Sequence, residues 1–422
     1  MQRCIVRQGK TTASCWLERF RHGQADRMTT HRPSGVFHGW LIANLLAQIS
    51  LGLLAMTICL PSMQEWGAIF KADQADVQLT FSAYVVAYGA FQLVYGPMSD
   101  RYGRKGVLLV GLIMACAGSW MAGMSEHLGA LTFARFLQGA GTAAGMVVGR
   151  STVQDIFQGP ARTRVMAYIG MALGVCPPLA TLIGGQIHVR WGWQANFFLM
   201  GALSIVLFFA AWWGVPSSHK TQAPMHWLGS MFQAYSRLAR ERQFLLYVAI
   251  LATTTATFYV FLAGAPIVLR SYGVGPDGVG WFIMCVPLSY IVGNFLTSRI
   301  IHRVGERRLM NTGQALSVTA VLLVLLLAML GWASPWAISL PLLLLGFGHG
   351  FLNPPALSGT VGLVPSLAGT AVAMAGLMQQ LMGATGGYLV GLVSHEGAVN
   401  LALMMLGFTL CSVTAQAMLH RR

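Results

Sequence analysis

Charge is what this sequence has least of. Asp, Glu, Lys and Arg make up 9% of its 422 residues, against roughly a quarter in soluble domains, while 55% are hydrophobic. A chain so composed cannot cover its apolar surface in water, which leaves a polytopic membrane protein as the class. Carboxylates are scarcer still, 12 against 27 Lys and Arg. The 7 cysteines show no CxxC or Cys/His spacing, so no metal centre, cofactor or disulfide framework is expected, and they read as small packing residues. HExxH, GxSxG and P-loop motifs are missing, as is any loop longer than about 30 residues after the first apolar run. These absences argue against an enzyme, a receptor with an extramembrane domain and an ATP-driven pump.

What the chain does have is apolar length. Twelve stretches, at about 38–60, 78–98, 106–124, 129–152, 164–188, 193–215, 245–269, 277–300, 310–330, 335–358, 368–392 and 398–419, can each cross a hydrocarbon core of ~30 Å as a helix. Only Lys71, Arg190 and Arg270 fall in odd-numbered loops, and Arg135 falls inside a stretch. The remaining basic residues sit in the tails, the even-numbered loops or the adjoining span ends, which puts both termini in the cytoplasm. The formal +15 is therefore a topology signal and implies no nucleic-acid partner. Trp40, Trp66, Trp191, Trp193, Trp212, Trp213, Trp332 and Trp336 lie near span ends, where an amphipathic ring anchors at the interface.

The organisation expected is a basic tail over 1–35, a first six-helix bundle over 36–215, a linker over 216–244 and a second bundle over 245–422. The tail is Arg-rich and reads as disordered, as a transit-like leader, or as untranslated if synthesis starts at Met28. In the linker, Trp227, Leu228, Met231, Phe232, Tyr235 and Leu238 can share one helical face, with Arg237, Arg240 and Arg242 at its basic end. That pattern fits an interfacial helix, with a calmodulin-like partner site as the alternative. The halves also echo each other. Arg303-x-Gly305 overlays Arg101-x-Gly103, and Gly346-x-Gly348 overlays Gly139-x-Gly141, about half a chain length apart.

The densest polar stretch is Gly96-Pro97-Met98-Ser99-Asp100-Arg101-Tyr102-Gly103-Arg104-Lys105. It reads as a tight turn between two spans, with Gly96 and Pro97 closing the first helix and Gly103 permitting the turn. The stretch resembles the loop 2–3 signature of the major facilitator superfamily. Ala134-Arg135-Phe136-Leu137-Gln138-Gly139-Ala140-Gly141 resembles that family's fourth-helix signature, which implies a part for Arg135 in proton coupling; the alternative is an arginine snorkelling to water. Gly170, Gly174, Pro177-Pro178 and Gly184-Gly185 resemble the fifth-helix signature of its exporters, with the proline pair permitting a bend. The resemblance further implies that Asp100 caps the eleventh helix, and the charges suggest that Asp155 pairs with Arg104.

Leu53-Leu54-Ala55-Met56-Thr57-Ile58-Cys59-Leu60-Pro61, Gln92-Leu93 with the turn that follows, and Thr152-Val153-Gln154-Asp155-Ile156-Phe157 look like the bicyclomycin/chloramphenicol-resistance (Bcr/CflA) drug-efflux group. That group carries an aspartate where this chain has Thr57. With no carboxylate at midplane, proton coupling would run through Asp100, Asp155 and Arg135, or through His349, whose imidazole titrates near neutrality; otherwise transport is not proton-coupled. Polar and aromatic residues inside spans are candidate cavity residues: Asn44, Gln48, Thr57, Tyr84, Tyr88, Gln92, Gln138, Tyr259, Tyr290, Asn294, Asn353, Gln379 and Gln380. Neutral, zwitterionic or anionic amphipathic substrates are expected, with Arg135 open to a negative group. The reading is an all-α membrane protein of the major facilitator fold. It is expected to be a monomer in a bacterial inner membrane that exports small molecules, including drugs, by proton antiport. An uptake carrier or facilitator for a metabolite is the alternative.

Overall fold

The computed structural model describes residues 35–216, 227–364, 367–394 and 397–420. The expectations for the basic tail and Met28 fall outside these residues, as does the linker start over 217–226. The described chain is helical: α1 (Gly35–Thr57), α2 (Met63–Phe70), α3 (Gln74–Tyr102), α4 (Arg104–Gly123), α5 (Leu128–Ile156), α6 (Gly159–Trp191), α7 (Trp193–Gly214), α8 (Trp227–Arg240), α9 (Arg242–Ser271), α10 (Pro276–Ile283), α11 (Cys285–Val304), α12 (Glu306–Met329), α13 (Pro335–Ser339), α14 (Leu342–Gly362), α15 (Ala368–Gly391) and α16 (Ala398–His420). Ala43 onward forms one compact unit, and the described start of α1, Gly35–Ile42, lies outside it.

Among the described residues, 10 segments are long and apolar enough to cross a membrane. α5 and α15, with 29 and 24 residues, have the length but not the apolarity. α5 needs less of it because it is packed between α3 and α4 and largely shielded from lipid. Elsewhere the outer faces are apolar, with Val206, Trp213, Leu326 and Leu330 all exposed, a surface that only a hydrocarbon solvent satisfies.

For description the helices are taken in two groups, α3–α7 with the end of α1, and α9–α16; α6 packs on α10 and α11 as well as on α7, and α3 packs closely on α15. Glycines set the closeness within each. A Cβ at Gly139 would enter the backbone of Tyr84 on α3, and one at Gly141 that of Ala115 on α4. In the second group, Gly346 and Gly348 bring α14 equally close to α11 and α12. The turns match as well: α3 passes to α4 through Gly103 at φ 92°, and α11 to α12 through Gly305 at φ 83°. An L side chain resists that backbone, so the turn selects glycine twice.

Several expectations need correction. Gly96 and Pro97 do not close a helix; α3 runs through them to Tyr102, and the turn is Gly103 alone. The missing Pro97 N–H is tolerated in a membrane helix, and the Ser99 hydroxyl bonds the Gly96 carbonyl at 2.8 Å. Pro177-Pro178 likewise leaves α6 unbroken. The stretch at 277–300 is two helices, α10 and α11, meeting at Met284, and the stretch at 335–358 divides at Leu340-Pro341. Trp66 and Trp193 are no interfacial anchors: both are buried, edge to face at 5.8 Å, fixing α2 against α7. Within α8, Leu238 is buried against Phe244, Val248 and Ala375, while Arg237 and Arg240 are exposed. The side chains of Trp227, Leu228, Met231 and Phe232 are not among those described.

Candidate functional site

The two helix groups meet along α3 with α15 and along α6 with α10 and α11. At the end that carries α2 they are closed. Gln64 Nε2 donates to the Pro266 carbonyl at 2.5 Å, and the Arg270 guanidinium donates back to the Gln64 carbonyl. Gln78 Nε2 donates to Ala263 O at 3.1 Å, and Ser82 Oγ to Ala384 O at 2.8 Å. A Cβ at Gly280 would lie 2.7 Å from Leu182 Cα. α2 is held on α6 by Glu65 and His188, 3.0 Å apart.

Between the two groups lies a cavity of about 300 Å³. It is lined by Gly174 and Pro177 of α6, Thr254, Thr255, Phe258 and Tyr259 of α9, Val286, Pro287 and Tyr290 of α11, Gly346, His349 and Asn353 of α14, and Gln379 of α15. The residues fall on single faces for a periodic reason: 254 and 258, 255 and 259, 286 and 290, and 349 and 353 are each one helical turn apart. Most polar groups in the wall are already partnered. Thr254 Oγ1 bonds Asn353 Oδ1 at 3.1 Å, Gln379 Nε2 bonds Thr255 Oγ1 at 3.1 Å, and the Tyr259 hydroxyl bonds Gln380 Oε1 at 3.0 Å. His349 is 5% exposed and makes no hydrogen bond to any described residue. Among the described residues, no Asp, Glu, Lys or Arg lines the cavity.

Sequence reasoning named Gly174, Tyr259, Tyr290, His349, Asn353 and Gln379, and the structure brings them together here. It sends other candidates elsewhere. Gln48 is buried inside the first helix group, donating to Asn44 Oδ1 at 3.1 Å and Leu207 O at 2.9 Å. Thr57 bonds the Leu53 carbonyl at 3.0 Å, and Tyr84 bonds Gly52 O and Thr142 Oγ1, both at 2.7 Å. Tyr88 stacks on Tyr84 with its hydroxyl unpartnered, at 3% exposure. Gln92, Asn294 and Pro178 do not line the cavity either. Gln48 and Tyr84 thus satisfy neighbouring helices, and Thr57 a carbonyl of its own, instead of a ligand. Thr254, Thr255 and Phe258 were missed; their signal was helical spacing from Tyr259.

Arg135 neither snorkels nor faces the cavity. It is 0% exposed, with Nη1 donating to Ala55 O at 2.8 Å and Gln138 Oε1 at 2.5 Å, and Nη2 to Met56 O at 3.3 Å. Its guanidinium stacks 4.3 Å from the Tyr84 ring centre, and Gln138 passes the chain on to Ser119 at 2.8 Å. The carbonyls it binds belong to the last turn of α1, the negative end of that helix, so cation and helix end offset each other. In this conformation Arg135 is therefore not open to a negative group of a substrate.

At the end away from α2, Arg104 Nε lies 2.5 Å from Asp155 Oδ2 and Nη2 3.6 Å from Asp100 Oδ1. The residue before α15 is Leu367, whose side chain makes no cap there. Arg101 is engaged locally, its guanidinium 5.5 Å from the Tyr102 ring centre.

Known proteins resemble this chain in sequence or in fold. Multidrug resistance protein D of Escherichia coli (strain K12) is 30% identical, over 86% of this chain and 92% of its own length. The chloramphenicol resistance protein of Pseudomonas aeruginosa is 25% identical, over 86% of this chain and 88% of its own. Among solved structures, a bacterial homolog of the human lysosomal transporter Spinster, inward-facing and unoccupied, superposes with a TM-score of 0.74 at 15% identity, covering 92% of this chain and 97% of that one. The D-xylose-proton symporter gives 0.71 at 12% identity, covering 90% and 97%. Residues 41–387 match the profile of the Major Facilitator Superfamily, and the chain belongs to that superfamily: it is a multi-pass membrane protein, a secondary transporter of small molecules and not an enzyme.

Proposed function

We propose that this transporter exports small molecules, drugs among them, in exchange for protons, by rocking a bundle of α1–α7 against a bundle of α9–α16 around the cavity. The observation that carries the reading is the closure of the α2 end. The α2 end is stitched by side-chain hydrogen bonds to backbone carbonyls of the other group, as a site that faces one side at a time requires of the side it does not face. All of the long helices cross the membrane, α5 and α15 included, with both termini in the cytoplasm. The Lys/Arg distribution then makes the α2 end periplasmic and this conformation inward-facing. A bacterial inner membrane and a monomer complete the reading.

The names borne by the relatives, multidrug and chloramphenicol resistance, favour export of drugs. Coupling falls to His349, the one cavity-lining side chain whose ordinary titration range lies near neutrality. Arg104, Asp155 and Asp100 form a lock at the cytoplasmic end, while Gly103 and Arg101 shape the turn that presents it. Arg135 holds α1 to α5 through the movement, and Gly174 with Pro178 gives α6 its close approach to the second bundle. The test is transport by inverted vesicles energised with an imposed pH gradient and challenged with chloramphenicol and bicyclomycin. Gradient collapse on adding a compound, lost in Arg135→Ala, is expected. Substrate movement without gradient dependence would make the protein a facilitator or uptake carrier and end the antiport reading.

A further inference from the structure

On the reading that this cavity holds the transported molecule, we propose that it selects uncharged substrates bearing a hydroxyl or amide, and that His349 is the residue that recognises that group. The charge balance of the wall comes first. With no Asp, Glu, Lys or Arg among its described lining residues and His349 neutral, the cavity would strip an entering ion of its hydration without a counter-charge in contact, a cost that a neutral molecule escapes.

Hydrogen-bond accounting then narrows the wall to two side chains. Each wall amide and threonine hydroxyl has one partner there, whereas Tyr290 and His349 have none among the described residues, and of these two His349 is the enclosed one. A buried polar group left so is unfavourable until something supplies the missing bond. A neutral imidazole offers one donor and one acceptor, and a hydroxyl or amide answers both. The position is also rigid. Gly348 and Gly350 press α14 against α12 and α11, with a Cβ at Gly350 only 2.8 Å from Asn294 N, so the ring cannot withdraw with its helix. Phe258, Pro177 and Val286 supply apolar walls for the rest of the molecule, and about 300 Å³ restricts it to the small end of ligand pockets.

The experiment is ligand binding to the purified full-length protein in detergent, with no gradient. The probes are uncharged aromatics carrying hydroxyl or amide groups, chloramphenicol among them, and size-matched lipophilic cations such as tetraphenylphosphonium. Uncharged members are expected to bind and the cations not to compete. His349→Phe should weaken binding by about tenfold or more, and His349→Gln, which keeps a donor and an acceptor, by no more than about threefold. Asn353→Asp should admit the cations, a gain that misfolding cannot mimic. Failure of every uncharged probe to bind, cation binding to the unaltered protein with equal affinity, or unchanged binding in His349→Phe would each overturn the proposal. Because no gradient is present, a protein that binds as expected yet drives no proton exchange in vesicles would lose the antiport reading alone.

Discussion

An arginine sealed inside a membrane protein without a carboxylate beside it must be held by dipoles, and Arg135 is. Two carbonyls from the last turn of α1, an amide oxygen and the face of Tyr84 share its charge. A lysine offers a point charge instead of a planar fork and cannot serve all of them at once. Arg135→Lys is therefore expected to leave Gln138 Oε1 or a carbonyl short of a donor, costing ~1–3 kcal/mol and lowering the unfolding temperature in detergent. Unchanged stability would contradict this account of the network. Tyr84→Phe removes one hydroxyl shared between Gly52 O and Thr142, and should cost only ~1 kcal/mol by the same measurement. The residue itself was legible in the sequence, as a charge inside an apolar run. Its partners were not, because Ala55 and Met56 act through backbone oxygens that every residue type possesses.

At the scale of elements, small residues decide where helices touch and where they part. Gly280 on α10 packs on the Leu182 backbone of α6. Gly280→Leu should wedge the α2 end apart, which would be read as faster labelling of a cysteine placed at Gln64. An unaltered labelling rate would show that this contact does not hold the end shut. The Arg104–Asp155 pair calls for a different magnitude. Asp155 is half exposed, so the bridge is worth at most ~1 kcal/mol to stability. The same energy placed on a two-state equilibrium shifts it about fivefold. Asp155→Asn should thus barely move the unfolding temperature while shifting the population towards the form closed at the Arg104 end, and the swap Arg104→Asp with Asp155→Arg should restore it. Independent effects of the two substitutions would remove the lock. The Gly103 and Gly305 turns were legible because their φ demands glycine. The course of α3 through Pro97 was not, because membrane helices tolerate the proline that ends a soluble one.

For the whole molecule, apolar length made the long helices readable in advance. Which polar residues face the cavity depends on how the two groups meet, which no single helix encodes. Tyr290 and His349 reach it because α11 and α14 lie at that junction, while Gln48 and Tyr84, equally polar and equally deep in their spans, are used up within the first group. Transport requires the closed α2 end to open. Ser82 and Ala384 face each other across that closure, with Ser82 Oγ 2.8 Å from Ala384 O. The most direct measurement is transport by Ser82→Cys/Ala384→Cys, made in a background without the 7 native cysteines, before and after bridging the pair. Transport should stop when the bridge forms and return on reduction. A bridged protein that transports at the unbridged rate would contradict alternating access at this cavity.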